Sequence, residues 1–244
     1  MYRAHTEGRT VHNAMWMHFP QDMNSFNQDG QYMWSDGLLF TPVLTPETVS
    51  VRGYFPAGHW FSLFDDSCII SEGEFVELYT PLQATNAHVR GGMIVPMQEF
   101  GMTTAAVSAS PFTLLVVLSE SKEASGGLFV DDGKQLDIVA ASDVAYTVPS
   151  NAGMDRKSHV LFSEVVVNSD PNAGYSMLGA IEVWEANNGE HFLQCEGYVL
   201  DGPNQVKLFP GVVSVSNFDN FSRVKFSFES LKVIQTFEFH WTCQ

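Results

Sequence analysis

The chain has 244 residues, enough for one large or two small domains, and its 45% hydrophobic and 16% charged residues exclude a disordered polymer. Its 28 acidic and 12 basic side chains give a net charge of −16, a surface that repels phosphate backbones and anionic lipid; it suits a neutral ligand such as a sugar, but acidity alone names no substrate and also serves simply to keep a protein in solution. No apolar run is long enough to span a membrane, and the opening Met1–Gly8 lacks a signal-peptide core. Phe occurs 19 times, and Val-rich and Phe-rich runs recur, so strands should outnumber helices.

In chain order, residues 1–8 read as the tail of a helix stopped at Gly8. Pro20 to Gly30, with Asp22, Asn24, Asn27 and Asp29, reads as a polar loop. From about Thr45 to Ser110 the signals are strands and turns. Val49 to Arg52 alternates, Pro56-Ala57-Gly58 is a turn between aromatics, and Phe75 and Glu77 oppose Val76 and Leu78. His88-Val89-Arg90 leads into the Gly91-Gly92 turn and a short buried strand, Met93 to Val95. Pro96 should end that strand or force it to an edge. Phe112 to Leu118 is continuously apolar, as a strand buried on both faces would be. Glu120 to Gly127 reads as a turn, Leu128 to Val130 as a short strand, and Asp131-Asp132-Gly133 as the next turn. Further on, Val160 to Phe162 alternates, and Ile181, Val183 and Glu185 oppose Glu182 and Trp184. Two last apolar faces follow, Val224, Phe226, Phe228 and Phe237, Phe239, Trp241. Six or more such strands indicate a sandwich from Pro111 to Gln244. Cys68, Cys195 and Cys243 leave open one disulfide or buried free thiols, and one glycosylation sequon occurs, Asn220-Phe221-Ser222.

Three blocks carry a resemblance: Tyr54-Phe55-Pro56-Ala57-Gly58-His59-Trp60, His88 to Gln98, and Gly127-Leu128-Phe129-Val130-Asp131-Asp132-Gly133. In this order and spacing they resemble YFPxGxWYDL, HVRGGxIxPxQ and GELFxDDGxS of the C-terminal part of family 31 glycoside hydrolases, the α-glucosidases of the maltase, sucrase-isomaltase and lysosomal acid type. The resemblance implies a mainly β fold: two consecutive antiparallel β-sandwich-like domains, preceded by the last strand and flanking pieces of a (β/α)8 barrel. It implies barrel residues at 1–44, a proximal β domain at 45–110 and a distal β-sandwich at 111–244. Val11 to Phe19 would be the last barrel strand, with Met15, Met17 and Phe19 on one face and His12, Ala14, Trp16 and His18 on the other. Here His12 to Pro20 stands where relatives have Ala-Arg-Pro-Leu-Phe-Phe-Glu-Phe-Pro. Gln31 to Leu44 matches QFLWGxALLxxPVL, with Trp34 expected as a core anchor.

The resemblance also implies where chemistry is expected. Retaining glycoside hydrolysis takes two carboxyl groups about 5 Å apart. Asp65-Asp66 and Asp131-Asp132 are the candidates by adjacency, but both sit beside turn signals, and neighbouring strand residues face opposite ways. The family's nucleophile motif Trp-x-Asp-Met-Asn-Glu does not occur, and no catalytic residue of the family maps onto these positions. His12 and His18 on one strand would be roughly 20 Å apart, too far to share a metal. Site residues are therefore expected as none: catalytic, cofactor or metal. The partners implied are an α-glucoside oligosaccharide, through a barrel that precedes these residues, and the rest of the chain's own catalytic domain. Neither nucleic acid nor metal is expected. The chain reads as a truncated enzyme, inactive alone, whose full-length parent enters the secretory pathway and is lysosomal or extracellular. The alternative is a stand-alone carbohydrate-binding or scaffold module in which Trp60 or Trp184 stacks on sugar. A third reading, a functionless remnant, predicts aggregation through residues 1–44.

Overall fold

The computed structural model describes residues 2–131, 141–150, 158–168, 177–187, 190–201, 206–208, 210–232 and 236–244. Two compact units divide the chain, Met1–Gly91 and Gly92–Gln244. The sequence boundaries at 44 and 110 concern correspondence with the domains of a parent enzyme, which compactness does not address.

The first unit contains α1 (Tyr2–Glu7), β1 (His12–Asn13), α2 (Met15–His18), β2 (Tyr32–Trp34), β3 (Leu38–Phe40), β4 (Ser50–Phe55), β5 (Gly58–Ser62), β6 (Cys68–Ser71), β7 (Glu74–Tyr79) and β8 (Ala87–Arg90). Six strands form one antiparallel sheet in the order β1-β2-β3-β8-β5-β6. The motif strand β8 is central, with Leu38 opposite Val89 on one side and Trp60 opposite Arg90 on the other. β4 and β7 make a separate ribbon. Apolar packing of Met15, Met33, Leu39, Tyr54, Phe55 and Trp60 forms the core. Polar side chains from the turns fasten the ribbon to it. Gln31 Nε2 donates to Thr41 Oγ1 (2.8 Å) and to the Tyr54 carbonyl (3.2 Å), while its Oε1 accepts from Tyr54 N (2.7 Å). Asn86 Nδ2 donates to Thr80 Oγ1 (2.7 Å), and Ser71 Oγ to the Phe55 carbonyl (2.6 Å). These buried groups replace the ladder bonds that the ribbon lacks to the sheet.

The expectation for the start of this unit fails. Val11 to Phe19 is not a strand: pairing stops at Asn13, and α2 follows, with Phe19 N donating to the Met15 carbonyl at 3.0 Å. The partner strand β2 is only three residues long, so the backbone beyond it satisfies its polar groups locally. Met15 is fully buried while Met17 is exposed, a helical separation that period-two reasoning could not produce.

The second unit contains β9 (Met93–Gln98), α3 (Thr104–Ser108), β10 (Phe112–Val117), β11 (Ala124–Asp131), β12 (Ala141–Val148), β13 (Ser158–Asn168), β14 (Met177–Ala186), β15 (Cys195–Asp201), β16 (Val206–Leu208), β17 (Val212–Asn217), β18 (Phe221–Lys232) and β19 (Phe237–Cys243). They form one eleven-stranded sheet, ordered β16-β15-β19-β13-β12-β11-β9-β10-β14-β18-β17. The sheet curls so that its two arms meet across an apolar interior. Phe226 of β18 meets Phe239 of β19 edge-on at 4.9 Å, and both apolar faces named from sequence lie in this core. The result is the sandwich-like domain expected, with two exceptions to antiparallel order: β10 runs parallel to β14, and β11 to β9.

Three local expectations are corrected. The strand after the glycine pair does not stop at Pro96 but runs to Gln98 against β10. Pairing to β11 ends at Ile94–Gly126, so the proline, which has no N–H to donate, has a ladder partner on one side only. Ala124 to Gly127 is strand rather than turn, and here glycine is essential. A Cβ on Gly126 would lie 2.1 Å from the Ile94 carbonyl oxygen. Helix α3 stands where only strands and turns are expected; its Thr103 cap accepts from Ala106 N at 3.2 Å. At the turn between β8 and β9, Gly92 takes φ +96, a conformation that glycine adopts without strain.

Candidate functional site

The central strand β8 carries His88 and Arg90. His88 is buried, its ring edge-on to Phe55 at 4.9 Å, and burial pushes its pKa down to about 4 against the pull of Asp65. Two residues on, and so on the same face, the Arg90 guanidinium lies 4.8 Å over the ring of Phe19. Burial lowers the Arg90 pKa, and Asp36 partly restores it. His18 Nδ1 stands 3.8 Å from Asp36 Oδ1. Burial also lowers the His18 pKa; Asp36 opposes that and Arg90 adds to it.

Two clefts flank His18. One, of about 550 Å³, is lined by His18, Phe19, Asp22, Asn24, Tyr54 and Glu72, among others. The second, of about 460 Å³, includes Arg9, Asn13, Trp34 and Asp36. In the first, Asp22 is already committed: Oδ1 accepts from Asn24 N (3.0 Å) and Oδ2 from the Tyr54 hydroxyl (2.6 Å). Burial and this bond raise the tyrosine pKa. This carboxylate anchors the polar loop Pro20 to Gly30, where it caps a 3-10 turn at Met23–Ser25.

The adjacent acidic pairs sit as follows. Asp65 and Asp66 lie exposed on the bend between β5 and β6, with Asp66 at φ 54. Burial would raise the Asp65 pKa, but bonds from Ser62 and Ser67 outweigh it and hold the group below its ordinary value. Asp131 ends β11, and Asp132 and Gly133 lie outside the described residues. His12 and His18 are not on one strand: the first faces Tyr32 and Trp34 at 5.7 Å, and the second ends α2. Trp34 is not a core anchor; it is 43% exposed, tilted against Phe40 at 5.8 Å. Trp60 is fully buried and Trp184 is 5% exposed, so neither offers the open ring face that sugar stacking takes. The Trp60 indole instead donates to the Pro56 carbonyl at 2.8 Å, closing the Pro-x-Gly turn. Cys195 and Cys243 form a disulfide, and Cys68 is a buried reduced thiol whose pKa burial pushes up to about 12.

Sequence reading missed the contact of Arg90 with Phe19 and the cluster of the Lys122–Glu185 ion pair with His159. In that cluster Lys122 Nζ is 2.8 Å from Glu185 Oε1, and His159 Nε2 is 4.0 Å from Oε2. A signal for the second was present. Glu185 continues the inward positions of Ile181 and Val183, and a carboxylate on a core face demands a cation.

The solved structure of a glucosidase II alpha subunit superposes with a TM-score of 0.81 over 98% of this chain and 26% of that chain, at 18% identity, a likeness of fold. That likeness shows the fold alone, a mainly β one. Residues 8–95 match the profile of the glycosyl hydrolase family 31 C-terminal domain. The chain is 36% identical over 176 residues to an alpha-glucosidase of Hordeum vulgare, covering 69% of this chain and 20% of that protein. It is 36% identical over 177 residues to the lysosomal alpha-glucosidase of Bos taurus, covering 65% and 19%. The chain corresponds to the C-terminal part of a family 31 α-glucosidase, and it spans about a fifth of the length of the curated relatives it matches.

Proposed function

We propose that this segment braces the catalytic (β/α)8 barrel of a retaining α-glucosidase that releases terminal α-linked glucose from maltose-type oligosaccharides. In that reading residues 1–44 complete the barrel, 45–110 form the proximal β domain and 111–244 the distal β-sandwich. The observation that carries it is the family match over residues 8–95, whose central strand β8 hydrogen-bonds to β3 of the barrel-derived piece. The exposed aromatics Trp16, Phe26 and Trp34 support the same reading, as a face for the barrel to cover. The sugar binds through the barrel, and the two catalytic carboxylates come from it. A secretory-pathway parent agrees with the Cys195–Cys243 disulfide and with the lysosomal relatives.

The test is to assay the pure chain on a nitrophenyl α-glucoside, alone and then co-expressed with the barrel portion of the Hordeum vulgare enzyme. No turnover alone and turnover in the pair is expected. Cleavage by the pure chain would overturn the reading, as would a barrel portion whose activity and solubility ignore the chain.

A further inference from the structure

The connection from β17 to β18 is a two-residue hairpin. Phe218 N donates to the Phe221 carbonyl at 2.9 Å, which leaves Asp219 and Asn220 at the tip. Asn220 opens the tripeptide Asn220-Phe221-Ser222, an acceptor sequence for N-linked glycans. The fold treats its three members differently. Phe221 and Ser222 are fully buried, whereas Asn220 keeps part of its surface. The Phe221 ring stacks on Phe218 at 4.5 Å. Ser222 Oγ donates to Asn217 Oδ1 (2.7 Å) and accepts from Asn187 Nδ2 (2.9 Å). Asn217 in turn grips the backbone of Phe192, accepting from its N (3.1 Å) and donating to its O (2.8 Å). The hydroxyl that makes the tripeptide an acceptor is therefore enclosed in a network that ties the β17–β18 hairpin to the β14–β15 connection, while the amide to be modified stays at the rim.

We propose that Asn220 is glycosylated, and that transfer occurs on the extended chain before the β17–β18 hairpin closes. Asn220 Nδ2 forms a bond to the anomeric carbon of a lipid-diphosphate-linked oligosaccharide. The bond from that carbon to the diphosphate oxygen breaks, the lipid diphosphate leaves with the electron pair, and the amide nitrogen gives up one proton. The hairpin can then close, because Phe221 and Ser222 turn inward while the glycan leaves from the tip. The site rests on the secretory-pathway reading, and the test separates the two.

The full chain, behind a cleavable signal sequence, is translated into microsomes that hold the transferase and its donor. The expected product carries one glycan, removed by a glycan-releasing amidase and placed on Asn220 by peptide mass spectrometry. Asn220→Gln should abolish it, and Ser222→Thr, which keeps the hydroxyl, should retain it. A translocated, disulfide-bonded product with a bare Asn220 overturns the site and leaves the compartment reading standing. A glycosylated product that never joins Cys195 to Cys243 supports the site and counts against the compartment. Finally, purified folded chain should accept no glycan from the same transferase until it is reduced and unfolded. Equal transfer to folded and unfolded chain would overturn the order of events.

Discussion

The two units bury their sheets by different means. Met1–Gly91 uses strands of at most six residues and fixes its ribbon with the amides and hydroxyls of Gln31, Asn86 and Ser71. Gly92–Gln244 uses strands of up to twelve residues, an interior of Phe, Val and Leu from both arms, and a covalent tie between β15 and β19. A few directional bonds specify the first unit, and each is costly to lose because its partner stays buried. Distributed apolar burial holds the second, which should tolerate small changes and fail where backbones touch.

The sharpest break should come from Gly126→Val. The new side chain must displace the Ile94 carbonyl, so β9 and β11 part. A loss of about 4 kcal/mol or failure to fold is expected, read as early hydrogen exchange confined to the second unit. Removing the disulfide by the paired change Cys195→Ser and Cys243→Ser should cost about 3 kcal/mol in the same unit, since it closes a loop of 48 residues. Denaturant melts of the two forms would show it, and an unchanged midpoint would mean that the apolar arms suffice alone.

Acid should single out the first unit. Burial holds the folded His88 pKa near 4, against 6.5 for the ordinary side chain. Between those values the unfolded chain takes up a proton that the fold refuses, so stability falls as pH drops through 6.5 toward 4. The loss is at most about 3 kcal/mol. His88→Gln should flatten that slope, and exchange of the β8 amides at pH 7 and pH 4.5 measures it. A slope that survives the substitution would put the titration elsewhere. The smallest effect expected is Gln31→Ala, about 2 kcal/mol, from leaving the Tyr54 N–H and carbonyl without partners. It should loosen β4 and leave the second unit unchanged.

Much of the fold was legible because period and turn chemistry are local. Phe226 and Phe228, or Phe237, Phe239 and Trp241, share a face whatever strand lies opposite, and the Gly91-Gly92 turn is visible in its residues. Val11 to Phe19 misled because strand formation depends on the length of a partner, and β2 is short. The glycines of β11 read as a turn because the close approach of Ile94 is not written beside them in sequence. At the candidate site, Arg90 stood out as a motif residue, but its seat on Phe19 joins positions 71 residues apart (90 − 19).

By itself the sequence determined the β class, the order of most strands and the kinship with family 31 α-glucosidases, since alternation, turns and motif blocks are properties of neighbouring residues. Only the tertiary structure decided which strands pair in parallel, which two of three cysteines join, and which aromatics are buried. Those outcomes depend on distances between residues far apart in the chain, and no local pattern encodes them.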